Sequence, residues 1–586
     1  MKKVKMRKIG TVAVLLIALL LGGNAKAQQN YFPQWFDSVK LGIMIHYGLY
    51  SVPSYSDREQ YAEWFYKGYV GEDTLRQNFV KRVYGENFDY FDFTKYFTAE
   101  LFDAEQWIDL FERAGAKYIV FSSKHHDGFC LWNTKTTEKN SMNSPAHRDF
   151  IKELRDACDK NGNVRFGLYY SLMEWHNPIF RWTFDTVGLD KYVDEYMVPQ
   201  FKELVDLYKP SLVFADGDWD FNYKQLKSEE MVNYLIEKVG KDEAIVNNRW
   251  GNGNPYGFLT PEYSEGINVK DRPWSECRSL ARSFGLNRLS PIEDYLTAED
   301  LVQHFVQLVS MGGGLMLNVG PAADGRIPLL QQERLLQLGE WLNINGEAIY
   351  GTKAWEKSFN TKNMTDTLMA KQLDFNWVRN SPKRNITEDN FQIVWKNSLV
   401  FDKDTTLFLQ VAADDEANVQ FITKKGVVYN QTAKTNQPIN ETFSFKKGEV
   451  YEIVVRYIET DLEASLSFKA KDLNDKEVLL PVKTDWYGEV TCLQPTVYFT
   501  TKGDDLYAFE MNDLSKSLRI YDMVKPNKDM KIKLLGSEHI NLKWKYVDNK
   551  KDGNYIEIDL SDLSMADVKS KYAYVFKLEG YLKAKK

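Results

Sequence analysis

The feature that most constrains the fold of this chain is a repeated alternation of amphipathic helix, short turn and apolar strand up to about residue 355. In one repeat, a helix is predicted to begin at Asp103, which forms a capping box with Gln106, and to end at Gly115. Helices between successive strands imply a parallel sheet. The predicted strands are 41–45, 118–121, 164–170, 211–215, 244–246 and 315–319.

This number of repeats predicts an α/β fold in which residues 28–355 form a (β/α)8-like, TIM-type barrel. No GxGxxG motif opens a helix, which disfavours an open doubly wound sheet. After residue 356 the helical pattern stops and alternating apolar and polar residues take over. These segments predict an inserted antiparallel β-sandwich over 356–486 and a C-terminal β-sandwich over 487–586.

Residues 1–27 have the layout of a secretory signal peptide. A basic segment precedes the apolar run 9–21, and Ala25 to Ala27 form a small-x-small cleavage site. The apolar run is too short for a spanning helix, and no later segment reaches ~18 apolar residues. We therefore expect cleavage near Ala27, export to the periplasm or medium, and no membrane insertion afterwards; an uncleaved anchor is the alternative.

Charge and cysteine content exclude several classes of partner and site. The formal charge is −7, and the first 27 residues contain six basic and no acidic residues, so the exported chain is more acidic still. Such a chain lacks the basic surface that nucleic acid or an anionic membrane requires. The four cysteines are too few and too scattered for a disulfide framework, and none forms a CxxC pair, which disfavours a thiolate zinc site. Oligomeric state is left open.

Polar residues follow the predicted strands at the points where those strands end. Because active sites of such barrels lie at the carboxyl ends of the strands, we expect these side chains to converge in one pocket. They are His46, His125, His126, Tyr169, Asp216 and Arg249.

Two kinds of chemistry suit this pocket. Histidine and aspartate at strand ends bind zinc in many barrels, which leaves a metal-dependent hydrolase as one alternative. However, His46 is not followed by a second histidine at ligand spacing. Glycoside hydrolysis needs one carboxylate nucleophile and one acid/base, and it needs no cofactor. We therefore predict a glycoside hydrolase without metal or cofactor, with a non-catalytic glycan-binding protein as the other alternative.

Eight ordered motifs between about residues 31 and 355 resemble the α-L-fucosidase family of glycoside hydrolases, and 488–586 resemble its C-terminal sandwich. The resemblance implies an irregular barrel that releases terminal fucose through a fucosyl-enzyme, with retention of configuration. It also implies a fucosylated oligosaccharide or glycoprotein glycan as substrate. The motifs are "LGIMIHYG", "EWF", "SSKHHDGF", "LVFADGDW", "VNNRWG", "SFGLNR", "LMLNVGP" and "GEAIYGT".

By the same resemblance, Asp216 before Gly-Asp-Trp matches the nucleophile. The acid/base varies between branches of the family: a segment like "TPEY" indicates Glu262, and "RPWSECRS" indicates Glu276 as the second choice. The remaining residues are expected to line the fucose pocket. They are His46, Glu63, Trp64, His125, His126, Tyr169 and Arg249.

The inserted segment 356–486 resembles the β-sandwich named after the anthrax protective antigen, which often accompanies carbohydrate enzymes. Some members bind sugar through a calcium ion held by paired aspartates, and Asp414 and Asp415 stand in the matching place. A calcium site needs six or more oxygens, and the sequence does not identify the others. A structural spacer and a sugar- or calcium-binding domain both stay open.

Overall fold

The computed structural model of this chain describes residues 32–58, 60–177, 179, 188–264, 266–267, 269, 271–378, 382–383, 386, 390–460, 464–480, 484–549 and 553–585. The predicted signal peptide 1–27 lies outside these residues. The chain divides into two compact units, Met1–Ser358 with Tyr498–Lys586, and Phe359–Val497. No helix among the described residues combines the length and apolarity that a membrane span requires.

The first unit contains a parallel sheet whose strands are fully buried, with helices in the connections between most of them. Its strands are β1 (Leu41–Ile45), β2 (Tyr118–Lys124), β3 (Gly167–Ser171), β4 (Leu212–Asp216), β5 (Ile245–Val246), β6 (Ser275–Ser279) and β7 (Gly314–Val319). Their order in the sheet is β5-β4-β3-β2-β1-β7-β6. The predicted barrel class is confirmed, and each of the six predicted strands overlaps an observed one.

The helices of this unit contribute apolar side chains to the same core as the sheet. They are α1 (Gln34–Val39), α2 (Phe65–Val70), α3 (Thr74–Tyr84), α4 (Ala104–Arg113), α5 (Phe150–Asn161), α6 (Leu189–Tyr192), α7 (Val198–Tyr208), α8 (Ser228–Val239), α9 (Ala298–Ser310) and α10 (Leu329–Asn345). A π-helical turn, Val193–Met197, joins α6 to α7.

The start of α4 differs in one detail from its prediction. Asp103 caps the helix and accepts the backbone N–H of Gln106 at 3.0 Å. The Gln106 amide does not reach back to the backbone of Asp103; it donates to the Asp103 carboxylate at 2.9 Å. The predicted capping box is therefore wrong in its second half, because the carboxylate offers this donor an ionised acceptor.

An irregular segment, 258–262, bridges the gap between β5 and β6. Phe258 N donates to Val246 O at 3.0 Å on one side, and Cys277 N donates to Pro261 O at 2.8 Å on the other. The segment thus occupies the place of an eighth strand, although it forms only isolated parallel bridges. It delivers residue 262 to the same end of the barrel as the strand-end residues.

Strand β6 was absent from the sequence prediction because its residues are mostly polar. All five are nevertheless buried, including Glu276, which has no exposed surface. The Glu276 carboxylate accepts a hydrogen bond from Arg278 Nε at 3.0 Å and pairs with His304 Nε2 at 2.7 Å. The Arg278 guanidinium and the hydrogen bond with His304 compensate the burial of this carboxylate, so a polar strand can lie inside the protein.

Beyond residue 352 the regular elements of the described chain are strands, apart from the 3-10 helix Tyr581–Lys585. Its strands are β8 (Lys353–Ala370), β9 (Asp374–Val378), β10 (Phe391–Val400), β11 (Thr405–Ala413), β12 (Glu416–Thr423), β13 (Gly426–Lys434), β14 (Ile439–Phe445), β15 (Val450–Glu459), β16 (Ala464–Lys471), β17 (Trp486–Lys502), β18 (Asp505–Glu510), β19 (Ser517–Tyr521), β20 (Lys531–Leu534), β21 (Lys543–Val547), β22 (Tyr555–Asp559) and β23 (Tyr574–Glu579).

The second unit is an antiparallel sandwich. One sheet has the order β14-β11-β16-β9, and the other contains β13-β12-β15-β10 and the first part of β17. Buried residues alternate with partly exposed ones along β12 and β16, as expected for strands with one face on a core. Trp395, Leu409 and Val455 lie fully buried in that core.

The first unit also includes the C-terminal strands. β18 pairs with β23, and β23 pairs with β20, in antiparallel register. A separate three-stranded antiparallel sheet has the order β19-β22-β21. The predicted change from helical to period-2 structure after the barrel is confirmed.

Candidate active site

A cavity of about 240 Å³ lies at the carboxyl ends of the barrel strands. Eight of the ten residues predicted for the site line it; His126 lies just behind the wall, and Glu276 lies elsewhere. The lining residues from the prediction are His46, Glu63, Trp64, His125, Tyr169, Asp216, Arg249 and Glu262. The wall is completed by Met44, Tyr61, Phe214, Trp219, Cys277 and Phe284.

Asp216 is the last residue of β4, and three side chains surround its carboxylate. Tyr169 Oη donates to Oδ2 at 2.8 Å, and His126 Nε2 lies 3.5 Å from the same oxygen. Arg249 Nη1 lies 3.3 Å from Oδ1. Burial acts to raise the pKa of Asp216, but the hydrogen bond from His126 and the charge of Arg249 outweigh it and hold this pKa well below its usual range. Asp216 is therefore an ionised, solvent-shielded carboxylate.

Arg249, just after β5, joins two carboxylates of the cavity. Its Nη1 faces Asp216, and its Nη2 donates to Glu262 Oε2 at 2.9 Å. Its Nε donates to Thr260 Oγ1 at 3.1 Å, which orients the guanidinium plane. Burial opposes the charge of Arg249, yet the two carboxylates raise its pKa above the ordinary value. One guanidinium therefore fixes the two acids on the same side of the cavity.

Glu262 comes at the end of the irregular segment 258–262. Besides Arg249, its carboxylate accepts a hydrogen bond from Tyr61 Oη, at 3.0 Å from Oε1. The next residue, Tyr263, has a φ of 46°, and its N–H donates to Cys277 O at 3.2 Å. The backbone turns away here, which leaves the Glu262 side chain directed into the cavity.

His46 follows β1, and its hydrogen bond determines its tautomer. Its Nδ1 lies 2.7 Å from Asn318 Oδ1 in β7, while the Asn318 amide nitrogen donates to Phe284 O at 2.7 Å. Because Oδ1 can only accept, Nδ1 of His46 carries a proton. Burial lowers the pKa of His46 to about 4, so the ring is neutral near pH 7 and Nε2 is an acceptor.

The paired histidines follow β2. The ring of His125 stacks on Tyr169 with centroids 5.5 Å apart, and its buried Nδ1 has no hydrogen-bond partner among the described residues. Burial keeps the pKa of His125 well below its ordinary value. His126 Nδ1 lies 2.7 Å from Ser171 Oγ, which itself donates to Met173 O at 2.6 Å. Nδ1 of His126 therefore faces Ser171, and Nε2 is directed at Asp216.

Glu63 and Trp64 lie in the 3-10 helix Ala62–Trp64. Glu63 Oε2 accepts hydrogen bonds from Gly285 N at 2.8 Å and from Ser283 Oγ at 3.1 Å. Burial is the main cause that raises the pKa of Glu63 to about 7. At neutral pH this carboxyl is present both as an acceptor and as a protonated donor, which suits hydrogen bonding to a hydroxyl group.

Glu276 is separated from the cavity by strand geometry. Side chains alternate between the two faces of a strand, and Cys277 of β6 lines the cavity. Glu276 therefore points away from the cavity, toward His304 of α9. Besides its contacts with Arg278 and His304, Glu276 accepts the backbone N–H of Ser264, at 2.9 Å from Oε1.

Several residues of the wall were not assigned a role from the sequence. Tyr61, which contacts Glu262, stands two residues before Glu63. Trp219 and Phe284 lie inside the motifs "LVFADGDW" and "SFGLNR", so proximity to these motifs was the available signal. Cys277 had no signal, because a single buried thiol resembles any core residue.

The described residues contain no group of three or more histidine, cysteine, aspartate or glutamate side chains arranged to hold a metal ion. In the second unit, Asp415 Oδ2 accepts Thr460 Oγ1 at 2.7 Å, and Asp414 Oδ1 accepts Thr435 Oγ1 at 3.2 Å. These carboxylates thus have local protein partners, and calcium binding there stays a prediction.

Comparison with known families agrees with this geometry. Residues 23–347, more than half of the chain, match the family described as Alpha-L-fucosidase. The chain belongs to the α-L-fucosidase family. Residues 491–579 match the Alpha-L-fucosidase C-terminal domain, and 350–482 match the PA14 domain, the anthrax protective antigen type. The predicted family and the predicted type of inserted domain are both confirmed.

Individual fucosidases are similar over more than half of the chain. Alpha-L-fucosidase of Branchiostoma floridae is 37% identical over 350 residues, which cover 57% of this chain and 76% of that protein. Tissue alpha-L-fucosidase of Homo sapiens is 36% identical over 375 residues, covering 58% of this chain and 78% of that protein. The family relation therefore rests on most of each relative's length.

Solved fucosidase structures have the same fold. The alpha-fucosidase of Thermotoga maritima in complex with a mechanism based inhibitor has a TM-score of 0.61 at 26% identity, covering 94% of this chain and 97% of that one. The same enzyme in complex with fucose also has a TM-score of 0.61. This fucosidase chain is a glycoside hydrolase by family, and fucosylated glycans are the substrates of that family.

Proposed function

We propose that this chain is an exo-acting, retaining α-L-fucosidase in which Asp216 is the nucleophile and Glu262 the acid/base. The observation that carries the proposal is the shared contact with Arg249: its Nη1 faces Asp216 at 3.3 Å, and its Nη2 binds Glu262 at 2.9 Å. Retaining glycosidases need two carboxyl groups ~5–5.5 Å apart, and one guanidinium that contacts both acids suits that spacing.

In the first step Asp216 attacks the anomeric carbon while the glycosidic C–O bond breaks. Its depressed pKa keeps it ionised, as a nucleophile requires, and burial removes competing water. Glu262 enters the step protonated and transfers its proton to the leaving oxygen. The products are a fucosyl ester of Asp216 and the free leaving group.

In the second step Glu262, now a carboxylate, takes a proton from water, and the water oxygen attacks the anomeric carbon. The ester bond breaks and Asp216 is regenerated. While Asp216 is esterified it carries no charge, so Glu262 is the anionic partner left to Arg249. The hydrogen bond from Arg249 holds the Glu262 carboxylate in place at the stage where it acts as a base.

Fucose itself is proposed to lie among His46, His125, Tyr169 and Glu63. Neutral His46 presents an acceptor, and the buried Nδ1 of His125, which has no partner within the described part of the chain, offers a further site for a hydroxyl group. Trp64, Arg249 and His126 are the other predicted contacts, and of these Trp64 and Arg249 line the cavity. A cavity of about 240 Å³ suits one terminal sugar, which supports exo action on fucosylated oligosaccharides or glycoprotein glycans.

The deciding experiment compares three variants on an activated aryl fucoside and on a fucosylated oligosaccharide. Asp216→Gly is expected to be inactive on both. Glu262→Ala is expected to lose its activity on the oligosaccharide but to keep part of its activity on the aryl fucoside, because a phenolate leaves without help from an acid. Azide should accelerate this variant by attacking the fucosyl-enzyme without a base.

Glu276→Ala is the matched control, since it removes a carboxyl group that lies outside the cavity. It should show no azide rescue and no selective loss of activity on the oligosaccharide. Azide rescue of Glu276→Ala and none of Glu262→Ala would transfer the acid/base role to Glu276. An inactive natural enzyme on every aryl fucoside would favour a glycan-binding protein instead.

The finer organisation is also proposed. Residues 1–27 act as a signal peptide, which is supported by their basic and apolar segments, and the protein is exported. Residues 28–355 form the catalytic domain, 356–486 an inserted sandwich and 487–586 the C-terminal sandwich. The family matches at 23–347, 350–482 and 491–579 lie close to these limits.

A further inference from the structure

A second and larger cavity adjoins the fucose cavity. It is a groove of about 1030 Å³, several times the volume of the first, and it is lined by residues 57, 60, 61, 64, 66–68 and 70–76 together with Trp175. Tyr61 and Trp64 line both cavities, so they form the boundary between them. This surface, called the adjoining groove below, has no part in the mechanism above.

The proposed acid/base lies at the boundary of the two cavities. Tyr61 Oη, on the wall of the adjoining groove, donates to Glu262 Oε1 at 3.0 Å. An acid must stand beside the oxygen that it protonates, and that oxygen links fucose to the leaving group. The leaving group is therefore expected to lie on the Tyr61 side of the fucose cavity, where the groove begins.

The lining of the adjoining groove suits sugar rings. Trp64 and Trp175 meet edge to face with centroids 5.4 Å apart, and Lys67 Nζ lies 4.4 Å from the Trp64 ring centroid. Farther out, the wall carries the exposed apolar residues Val70 and Leu75, which are 58% and 36% exposed. Aromatic and apolar groups beside polar ones match the mixed faces of a sugar.

The charges of the groove argue against an anionic ligand. Acidic Asp57 and Glu72 accompany the basic Lys67 on its wall. Arg76 is almost fully buried and pairs with Asp73, with Nη1 and Oδ2 2.5 Å apart. No cluster of one sign results among these described residues, so a neutral ligand fits better than a sulfated or sialylated one.

We propose that the adjoining groove binds the leaving part of the substrate, as a neutral oligosaccharide of two or more sugar units attached to the terminal fucose. This inference rests on the proposed function and adds the substrate class to it. The enzyme would then prefer fucose on an extended neutral glycan over fucose on a single sugar.

The test measures kcat/KM of the natural enzyme for an aryl fucoside, a fucosyl disaccharide and a neutral fucosyl tetrasaccharide of the same linkage. We expect a preference of ~10-fold or more for the tetrasaccharide over the disaccharide, from one or two added contacts. Leu75→Asp places a charge on the apolar wall and should reduce this preference at least ~3-fold.

Val83→Asp is the matched control, because Val83 is an exposed apolar residue of the same helix, 52% exposed, outside the groove. It should leave the preference unchanged. Equal kcat/KM for disaccharide and tetrasaccharide in the natural enzyme would overturn the groove proposal and needs no variant. An unchanged preference in active Leu75→Asp would also overturn it. Absence of aryl fucoside hydrolysis would instead refute the proposed function.

Discussion

Arg249 illustrates how single residues of this site depend on one another. Its partly buried guanidinium has Asp216 on one side and Glu262 on the other. Removal of one partner of a buried ion pair leaves the other charge uncompensated. Substitutions of Asp216 or Glu262 therefore alter the environment of Arg249 as well as the chemistry, and effects of double variants at these positions are not expected to add.

Glu63 is the residue whose protonation is expected to link stability to pH. Burial raises its pKa to about 7 from an ordinary value of 4.5. An acid whose pKa is raised by folding contributes stability that is fully present below its pKa in the unfolded state. This contribution is lost as the pH rises through its pKa in the folded state. Between these two pH values the natural protein should lose ~3 kcal/mol of unfolding free energy that Glu63→Gln does not lose.

The measurement is urea unfolding of both proteins across that pH range. Glu237→Gln, at an exposed position of α8, is the control and should follow the natural protein at every pH. Parallel pH profiles for the natural protein and Glu63→Gln would mean that Glu63 does not titrate in this range. The difference between the two proteins is informative because the other groups of the site titrate equally in both.

At the scale of elements, the irregular segment 258–262 determines whether Glu262 lies near Asp216. Gly257 precedes it with a φ of +73°, and an added Cβ would lie 2.0 Å from the carbonyl oxygen of Asn247. A backbone carbonyl cannot move aside as a flexible side chain can. Gly257→Ala should therefore shift the segment 258–262. We expect a loss of ~2 kcal/mol or more in unfolding free energy, together with a lower kcat/KM.

Gly253→Ala separates this clash from the strain of a positive φ. Gly253 has a φ of +75°, but no atom lies within 4 Å of its added Cβ. The variant Gly253→Ala should therefore lose only the smaller part of the unfolding free energy that comes from backbone strain, and it should retain kcat/KM. If the two variants prove equally stable and equally active, the close approach at Gly257 does not hold the segment that carries Glu262.

At the scale of the whole molecule, the second unit is expected to fold alone only when its last strand is included. β10 pairs with residues 487–492 of β17, from Lys396 opposite Tyr487 to Phe391 opposite Cys492. Val490 in that stretch is fully buried. A fragment 359–497 should unfold cooperatively in denaturant, because a domain carries its own core.

The shorter fragment 359–486 tests the boundary. It lacks the strand that covers β10, so it should unfold at a lower denaturant concentration or without cooperativity. Circular dichroism and fluorescence of the two fragments provide the comparison. A non-cooperative 359–497 fragment would contradict an independent domain, and equal stability of the two fragments would show that residues 487–497 are dispensable.

Much of the barrel could be predicted because its signals are local. The buried strands ending at Ile45 and Asp216 are short apolar runs between helices of regular period, and those patterns are visible in any window of the sequence. The family motifs then assigned roles to the polar residues that follow the strands. β6 escaped prediction because its burial depends on partners such as His304, which is distant in the sequence.

The sequence by itself determined the parallel sheet, the change to β-sandwich structure, and the set of strand-end residues, because period and topology bring the carboxyl ends of parallel strands to one edge. Only the tertiary structure shows that Glu262 lines the cavity and that Glu276 lies outside it. Bridges from 258–262 to β5 and β6 bring Glu262 to Arg249, while strand alternation turns Glu276 away. These hydrogen bonds join segments that show no periodic sequence pattern. The positions of the two glutamates therefore depend on the fold of the whole chain.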